Sequence, residues 1–215
     1  MKDNFSLLFK VLIVIILLTL YLCCSAYAYA ETVSSNLGNN ILRLHIIANS
    51  DLDQDQALKL KVRDTILDYL NNSSVNLNNK SEAINFVNSH IDELRILAEE
   101  TISDEGFSYP VSLTITNCTF PTKKYGNISI PSGEYDALRI QIGNAAGQNW
   151  WCVLFPPLCF VDISSGVLPD NSKELLKDSL EDEEYELITA DLTNSESANL
   201  KFKIVELVEN IKSIL

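Results

Sequence analysis

The chain has 215 residues, 47% of them hydrophobic, so it is long enough and apolar enough to form one domain of ordinary size. Its formal net charge of −13 opposes binding to the phosphates of nucleic acids. The same charge disfavours anionic lipid headgroups as a partner.

The N-terminus has the composition of an export signal. Lys2 and Lys10 supply a positive region, residues 11–22 are apolar and uncharged, and two A-x-A patterns end at Ala28 and Ala30. We therefore predict a secretory signal that is cut after Ala28 or Ala30. The alternative is an uncleaved anchor, because the apolar stretch approaches the roughly 20 residues that a membrane-spanning helix needs.

Composition divides the chain into four segments. They are a signal peptide or anchor (1–30), a polar lead-in expected to be mobile (31–40), a core α+β domain (41–168) and an acidic helical C-terminal segment (169–215).

The N-terminal part of the core domain begins with a strand and continues with helices. Apolar and polar residues alternate over residues 41–48, which predicts a strand with one apolar face. Asp51 is the expected N-cap of the next helix, with Gln54 three residues later. Asn79 is the expected N-cap of one further helix, whose apolar stripe extends to Leu97.

Farther along, the apolar period changes from helical to two. This predicts strands at residues 111–116, 127–130, 135–142 and 150–155. Helices are predicted from Asp170 or Ser172 and again over residues 200–215, with residues 181–184 as a solvated acidic face or hinge. The order of elements predicts an α+β fold, with a mainly antiparallel sheet and helices packed on one side.

Both tryptophans of the chain lie together in the last predicted strand, which Pro156 and Pro157 must end. Neighbouring side chains in a strand project from opposite faces. We therefore expect one indole, of Trp150 or Trp151, to pack in the core. The other is either covered by a helix or exposed as an anchor for another protein.

An odd number of cysteines follows the predicted signal: Cys118, Cys152 and Cys159. A turn at the two prolines could join Cys152 to Cys159 in a disulfide, which exported proteins permit. Equally, all three cysteines could be buried as small hydrophobic residues.

Four segments of this sequence resemble signatures of the stage II sporulation protein R family. The first pair reads LRLHIIANSD at residues 42–51 and DQALKLKVRD at residues 55–64. The second pair reads GEYDALR at residues 133–139 and NWWCVLFPPLC at residues 149–159. The resemblance extends over roughly residues 40–162.

The resemblance implies a signalling protein of endospore-forming bacteria that is not an enzyme and needs no cofactor. Such a protein is made in the forespore and exported into the space between the two septal membranes. There it activates a membrane-embedded aspartic protease in the mother-cell membrane, which then matures the precursor of sigma E. Neither nucleic acid nor a small-molecule substrate is expected as a partner.

Aromatic residues and arginines near the signatures are the expected contacts to the extracytoplasmic part of that protease. Arginine and tryptophan are enriched in binding hot spots, although internal ion pairs with Asp64 or Asp136 explain the arginines equally well. The candidate partner-binding residues are Trp150, Trp151, His45, Asn49, Asp51, Arg63 and Arg139.

Three other hypotheses are weaker. A cell-envelope hydrolase would use Cys152 as nucleophile and His45 as base, but an apolar strand raises the pKa of a thiol. A zinc site of His45, Cys118, Cys152 and Cys159 lacks the close cysteine pair that such sites have. A structural envelope protein without a signalling role is the third alternative.

Overall fold

The computed structural model describes residues 2–73, 77–159, 170–190 and 196–212. In these ranges the helices are α1 (Lys2–Asn40), α2 (Asp53–Asn72), α3 (Lys80–Ser89), α4 (Ile91–Asp104), α5 (Asp170–Ser179), α6 (Asp182–Thr189) and α7 (Glu196–Lys212). The strands are β1 (Leu42–Ile47), β2 (Val111–Phe120), β3 (Lys123–Tyr125), β4 (Ile128–Ile130), β5 (Gly133–Ile142) and β6 (Asn149–Phe155).

Four strands form the central sheet, in the order β2-β5-β1-β6. Strands β2 and β6 run antiparallel to their neighbours, whereas β1 and β5 are parallel. A parallel pair requires a long connection, and here that connection contains α2, α3 and α4. The predicted mixed fold and mainly antiparallel sheet are confirmed.

Helices cover both faces of the sheet, not one face as the sequence predicted. On the first face, α2, α3 and α4 pack on Leu44, Leu138 and Cys152. On the second face, α1, α5, α6 and α7 pack on residues that include Ala137 and Val153. The second layer forms because β5 and β6 carry apolar side chains at inward-facing positions of both faces.

Helix α1 continues through the segment that we expected to be a mobile lead-in. Ala30, Val33 and Leu37 are buried against the domain at the three- and four-residue spacing of a helix face. Residues 7–25, in contrast, are exposed and apolar enough to cross a membrane. This N-terminal helix is compatible with either a signal peptide or an anchor.

The helix starts agree only partly with the sequence. Asn79 caps α3 as predicted, since its side chain accepts a hydrogen bond of 2.9 Å from the Glu82 amide. The expected single helix is divided at His90 into α3 and α4. Asp51 does not cap α2, whose N-cap is Leu52.

The chain turns sharply where β6 ends. The Phe155–Pro156 peptide bond is cis, and the Cys159 amide donates a hydrogen bond of 3.1 Å to the Val153 carbonyl. This return of the chain places the Cα atoms of Cys152 and Cys159 5.5 Å apart, and the two residues form a disulfide. Cys118 is a free, half-buried thiol.

Reduction of this disulfide is expected to lower the free energy of unfolding by about 2–3 kcal/mol, because the bond closes a short loop in the unfolded chain. Urea unfolding with and without dithiothreitol measures the difference. Cys118→Ala serves as the control, since Cys118 forms no disulfide, and the variant should show the same loss on reduction. Identical unfolding curves in the oxidised and reduced chain would contradict this expectation.

Candidate functional site

Four side chains from four strands form a row on the second face of the sheet. The register places Thr114 of β2 opposite Arg139 of β5, Arg139 opposite His45 of β1, and His45 opposite Trp151 of β6. Directly opposed residues project from the same face of a sheet. Thr114 is exposed, Arg139 and Trp151 are half-buried, and His45 is buried. We call these four residues the open row.

Aromatic packing holds His45 in place within the open row. Its ring stacks on the Trp151 indole with the centroids 3.8 Å apart and the planes 22° from parallel. Phe120 lies edge-on to Trp151 at 4.7 Å. The Nε2 atom of His45 donates to Asn149 Oδ1 over 2.7 Å, which leaves Nδ1 as the unprotonated nitrogen.

The environment of His45 favours the neutral imidazole. Burial lowers the pKa of His45 below its ordinary value of 6.5, the hydrogen bond with Asn149 opposes this shift, and the charge of Arg139 adds to it. At neutral pH the open row therefore presents one positive charge, on Arg139, beside two uncharged aromatic rings.

Titration of His45 is expected to show a midpoint below pH 6.5. Because the unfolded chain then binds a proton at a higher pH than the folded chain, stability is complete above pH 6.5 and falls as the pH drops through the folded pKa. The Hε1 chemical shift, assigned with His45→Gln, measures the midpoint. Arg139→Gln should raise it by removing a positive charge, and a wild-type midpoint at or above 6.5 would contradict the expectation.

Arg139 has no carboxylate partner within the described ranges. Asp136, the internal partner that the sequence suggested, instead binds Lys80, with 2.8 Å between Oδ2 and Nζ. Arg139 Nε is buried and makes no hydrogen bond to any described residue. The guanidinium is thus a half-buried cation that is available to a carboxylate of another molecule.

Arg43, on β1, lies deeper on the same face and is fully buried. Its guanidinium carbon is 4.1 Å from the centroid of the Phe120 ring and 5.0 Å from that of Tyr135. It also donates a hydrogen bond of 3.0 Å to the Tyr125 hydroxyl. Arg43 therefore supports the aromatic residues beneath the open row and cannot contact a partner itself.

Trp150 and Arg63 form a separate pair on the first face of the sheet. The Arg63 guanidinium lies 4.2 Å from the Trp150 ring centroid and binds Asp64 at 2.6 Å. Trp150 is half-buried against the helical layer, so the two indoles project from opposite faces. We expected one indole in the core and the other either covered by a helix or exposed; instead each is half-buried against a neighbouring side chain, and Trp150 lies against the helical layer.

Asn49 has an internal role. Its Oδ1 accepts a 2.9 Å hydrogen bond from the Asn144 amide, and its Nδ2 donates a 2.8 Å bond to Asp55. The Ser50 hydroxyl donates to the same carboxylate over 2.6 Å. Burial opposes ionisation of Asp55, but hydrogen bonds from Ser50, Asn49 and Tyr109 together hold its pKa below the ordinary value. Asn49 is therefore occupied within the fold, whereas Asp51 is exposed.

Two glycines allow the loop before β6 to lie against Asn49 and Ser50. A Cβ atom on Gly143 would lie 2.3 Å from Asn49 Oδ1, and the φ angle of Gly143 is +57°. A Cβ atom on Gly147 would lie 2.2 Å from the Ser50 carbonyl oxygen. These close approaches set where β6 begins, and hence where Asn149 and Trp151 are placed.

The proposed nucleophile and base are not brought together. Cys152 is in a disulfide, and its side chain lies on the first face of the sheet, whereas His45 lies on the second. The disulfide also removes both Cys152 and Cys159 from the hypothetical zinc set. Within the described ranges, no group of three or more His, Cys, Asp or Glu residues is arranged to hold a metal.

Sequence reasoning missed several residues that build the site: Thr114, Phe120, Asn149, Asp55 and the glycines of the loop before β6. Thr114 and Phe120 could not be assigned because the strand register is not visible in the pattern. Asn149 was the one with a signal, since alternation places it on the same face as Trp151. The predicted solvated acidic face is exposed at residues 181–183, but Glu184 is buried and accepts a 2.7 Å hydrogen bond from Asn36.

Known proteins match the part of the chain that contains this site. The profile of the family described as Stage II sporulation protein R matches residues 38–165, more than half of the sequence. The chain is 43% identical over 142 residues to the Stage II sporulation protein R of Bacillus subtilis (strain 168), a match that covers 65% of this chain and 63% of that relative. No solved structure matches the chain.

Proposed function

We propose, from the premise that the chain belongs to the stage II sporulation protein R family, that it is an exported signal that activates a membrane-embedded aspartic protease. Membership of the family assigns the chain a role in sporulation. The protease lies in the opposing septal membrane, and its activation leads to maturation of pro-sigma E in the mother cell. The chain acts from the space between the septal membranes.

The observation that carries the proposal is the open row. It joins a half-buried guanidinium, which has no carboxylate partner in the described part of the chain, to a half-buried indole, and both remain accessible to solvent. Arginine and tryptophan supply much of the binding energy at protein interfaces. Acidic side chains outnumber basic ones in this protein, so an Arg139 with no carboxylate partner among the described residues is best explained by a carboxylate of the partner protein.

Activation requires more than binding. A ligand raises the activity of its target only if it binds the active conformation, or the active assembly, more tightly than the idle one. We therefore assign to the open row a contact with an extracytoplasmic carboxylate of the protease, formed in the active state. His45 keeps the Trp151 indole in a defined orientation for this contact.

Reconstitution tests the proposal. The full chain is added to vesicles that contain the protease and pro-sigma E, and cleavage of the precursor is followed with time. A rise in cleavage rate on addition of the chain supports the proposal. An equal rate with and without the chain overturns it, provided that the protease is shown to bind a transition-state analogue of aspartic proteases.

A matched pair of variants assigns the effect to the open row. Trp151→Ala should weaken the stimulation, whereas Ile96→Ala, which removes an exposed apolar side chain from α4 on the other face, should not. Urea unfolding of both variants controls for loss of the fold. Equal stimulation by the two variants would place the contact elsewhere on the molecule.

A further inference from the structure

The outward side of α7 carries an apolar stripe that the described part of the chain does not cover. Leu200, Leu207 and Ile211 are 64%, 60% and 50% exposed. At 100° per residue these side chains lie within about 40° of one another on the helix. They are opposite Phe202 and Val205, which pack in the core of the domain.

The contacts between α7 and α1 indicate that the two helices cross at a steep angle. Lys201 Nζ lies 5.6 Å from the centroid of the Tyr29 ring, and Lys212 Nζ lies 5.8 Å from that of Tyr27. Lys212 also forms an ion pair with Glu31. The two lysines are about 16 Å apart along α7, but the two tyrosines are only about 3 Å apart along α1. Nearly parallel helices would place the two lysines beside residues of α1 about 16 Å apart, so the two contacts favour a steep crossing.

This crossing sets the direction in which the stripe points. Both lysines lie on one side of α7, a quarter turn from the stripe, so the axis of α1 runs parallel to the line from the core to the stripe. The C-terminal half of α1 extends towards the core, where Val33 and Leu37 are buried. The N-terminal half therefore extends in the direction that the stripe faces.

We infer that α7 lies in the interface of the lipid bilayer that α1 spans, with Leu200, Leu207 and Ile211 inserted among the acyl chains. Three observations support a bilayer as the occupant. The exposed, membrane-length part of α1 begins beside α7. Tyr27, 52% exposed, lies beside α7 at the end of this part of α1, and tyrosines are enriched at the membrane–water interface. Lys201 and Lys212 lie beside Tyr29 and Tyr27 at the same depth, and lysines border the apolar face in amphipathic interfacial helices.

The inference includes retention of α1 as the anchor. Both A-x-A patterns lie within the continuous helix α1, and Ala30 is fully buried in the folded domain. The bilayer is expected to have neutral headgroups at the contact, because the net charge of the protein repels anionic ones.

Depth measurements with spin labels test the inference in the full chain. Cys23, Cys24 and Cys118 are replaced by alanine, and labels are attached to Leu207→Cys or Ile211→Cys after reconstitution in phosphatidylcholine vesicles. Ile96→Cys on α4, 47% exposed, is the matched control because it lies on the other face of the domain. The ratio of oxygen to nickel-chelate collision rates should be several-fold higher at both α7 positions than at the control.

Equal collision ratios at all three positions would overturn the inference. Spin–spin broadening at the α7 positions that disappears on dilution in lipid would also overturn it, because it would show a second copy of the chain on the stripe. The measurement needs no protease, so its outcome is independent of the activation assay.

Discussion

Arg139→Glu is expected to abolish the proposed stimulation of pro-sigma E cleavage while leaving the protein folded. Arg139 is a half-buried cation whose carboxylate partner is not found among the described residues. Truncation of a hot-spot arginine costs 2 kcal/mol or more, which corresponds to at least about 30-fold weaker binding. Charge reversal adds repulsion between two carboxylates, so we expect a larger loss. The measurement is the concentration of the chain that gives half-maximal stimulation.

Arg95→Glu is the matched control for this variant. It makes the same charge change on α4, where Arg95 forms exposed ion pairs with Asp92 and Glu99. Exposed pairs of this type contribute little, so neither stability nor stimulation should change much. Both variants are compared at pH 8, since loss of the Arg139 charge favours protonation of His45 at lower pH. Stimulation by Arg139→Glu at wild-type concentration would remove the open row from the interface.

Gly143→Ala is expected to lower the free energy of unfolding by about 2–5 kcal/mol. The left-handed conformation costs a non-glycine residue about 1–2 kcal/mol, and overpacking costs about 1–3 kcal/mol more. The added Cβ would lie 2.3 Å from Asn49 Oδ1, whose side chain is held by Asp55 and Asn144. Denaturant unfolding measures the loss, and displacement of β6 should also change the His45 resonances.

Gly106→Ala isolates the contact from the backbone effect. Gly106 also has a positive φ angle, +81°, but no atom lies within 4 Å of the position of its Cβ. This variant should therefore lose only the conformational part, about 1–2 kcal/mol, and leave the His45 resonances unchanged. If the two variants were equally destabilised, the close approach between Gly143 and Asn49 would contribute nothing to stability.

Asn49 illustrates why the candidate site was only partly visible in the sequence. It lies in a signature segment beside a strand end, which made it a reasonable contact for a partner. Its side chain is instead used within the fold, because the loop before β6 brings Asn144 and the first turn of α2 brings Asp55. A polar residue near a turn serves a partner or the fold equally well until the packing of distant segments is known.

The two tryptophans show the same limit. Alternation correctly separated Trp150 from Trp151 onto opposite faces of a strand. It could not show that α2 would bring Arg63 over Trp150, or that β1 would bring His45 against Trp151. The predicted surface of seven residues is therefore divided between two faces and a loop.

Local chemistry in the sequence determined the apolar N-terminal helix, the strands with a period of two, the Asn79 cap and the end of β6 at its prolines. These features depend on neighbours within a few residues. The tertiary structure alone decided the parallel pairing of β1 with β5, the second helical layer and the assembly of Thr114, Arg139, His45 and Trp151 into one row. Such contacts join residues far apart in the chain, and their register depends on packing across the whole sheet.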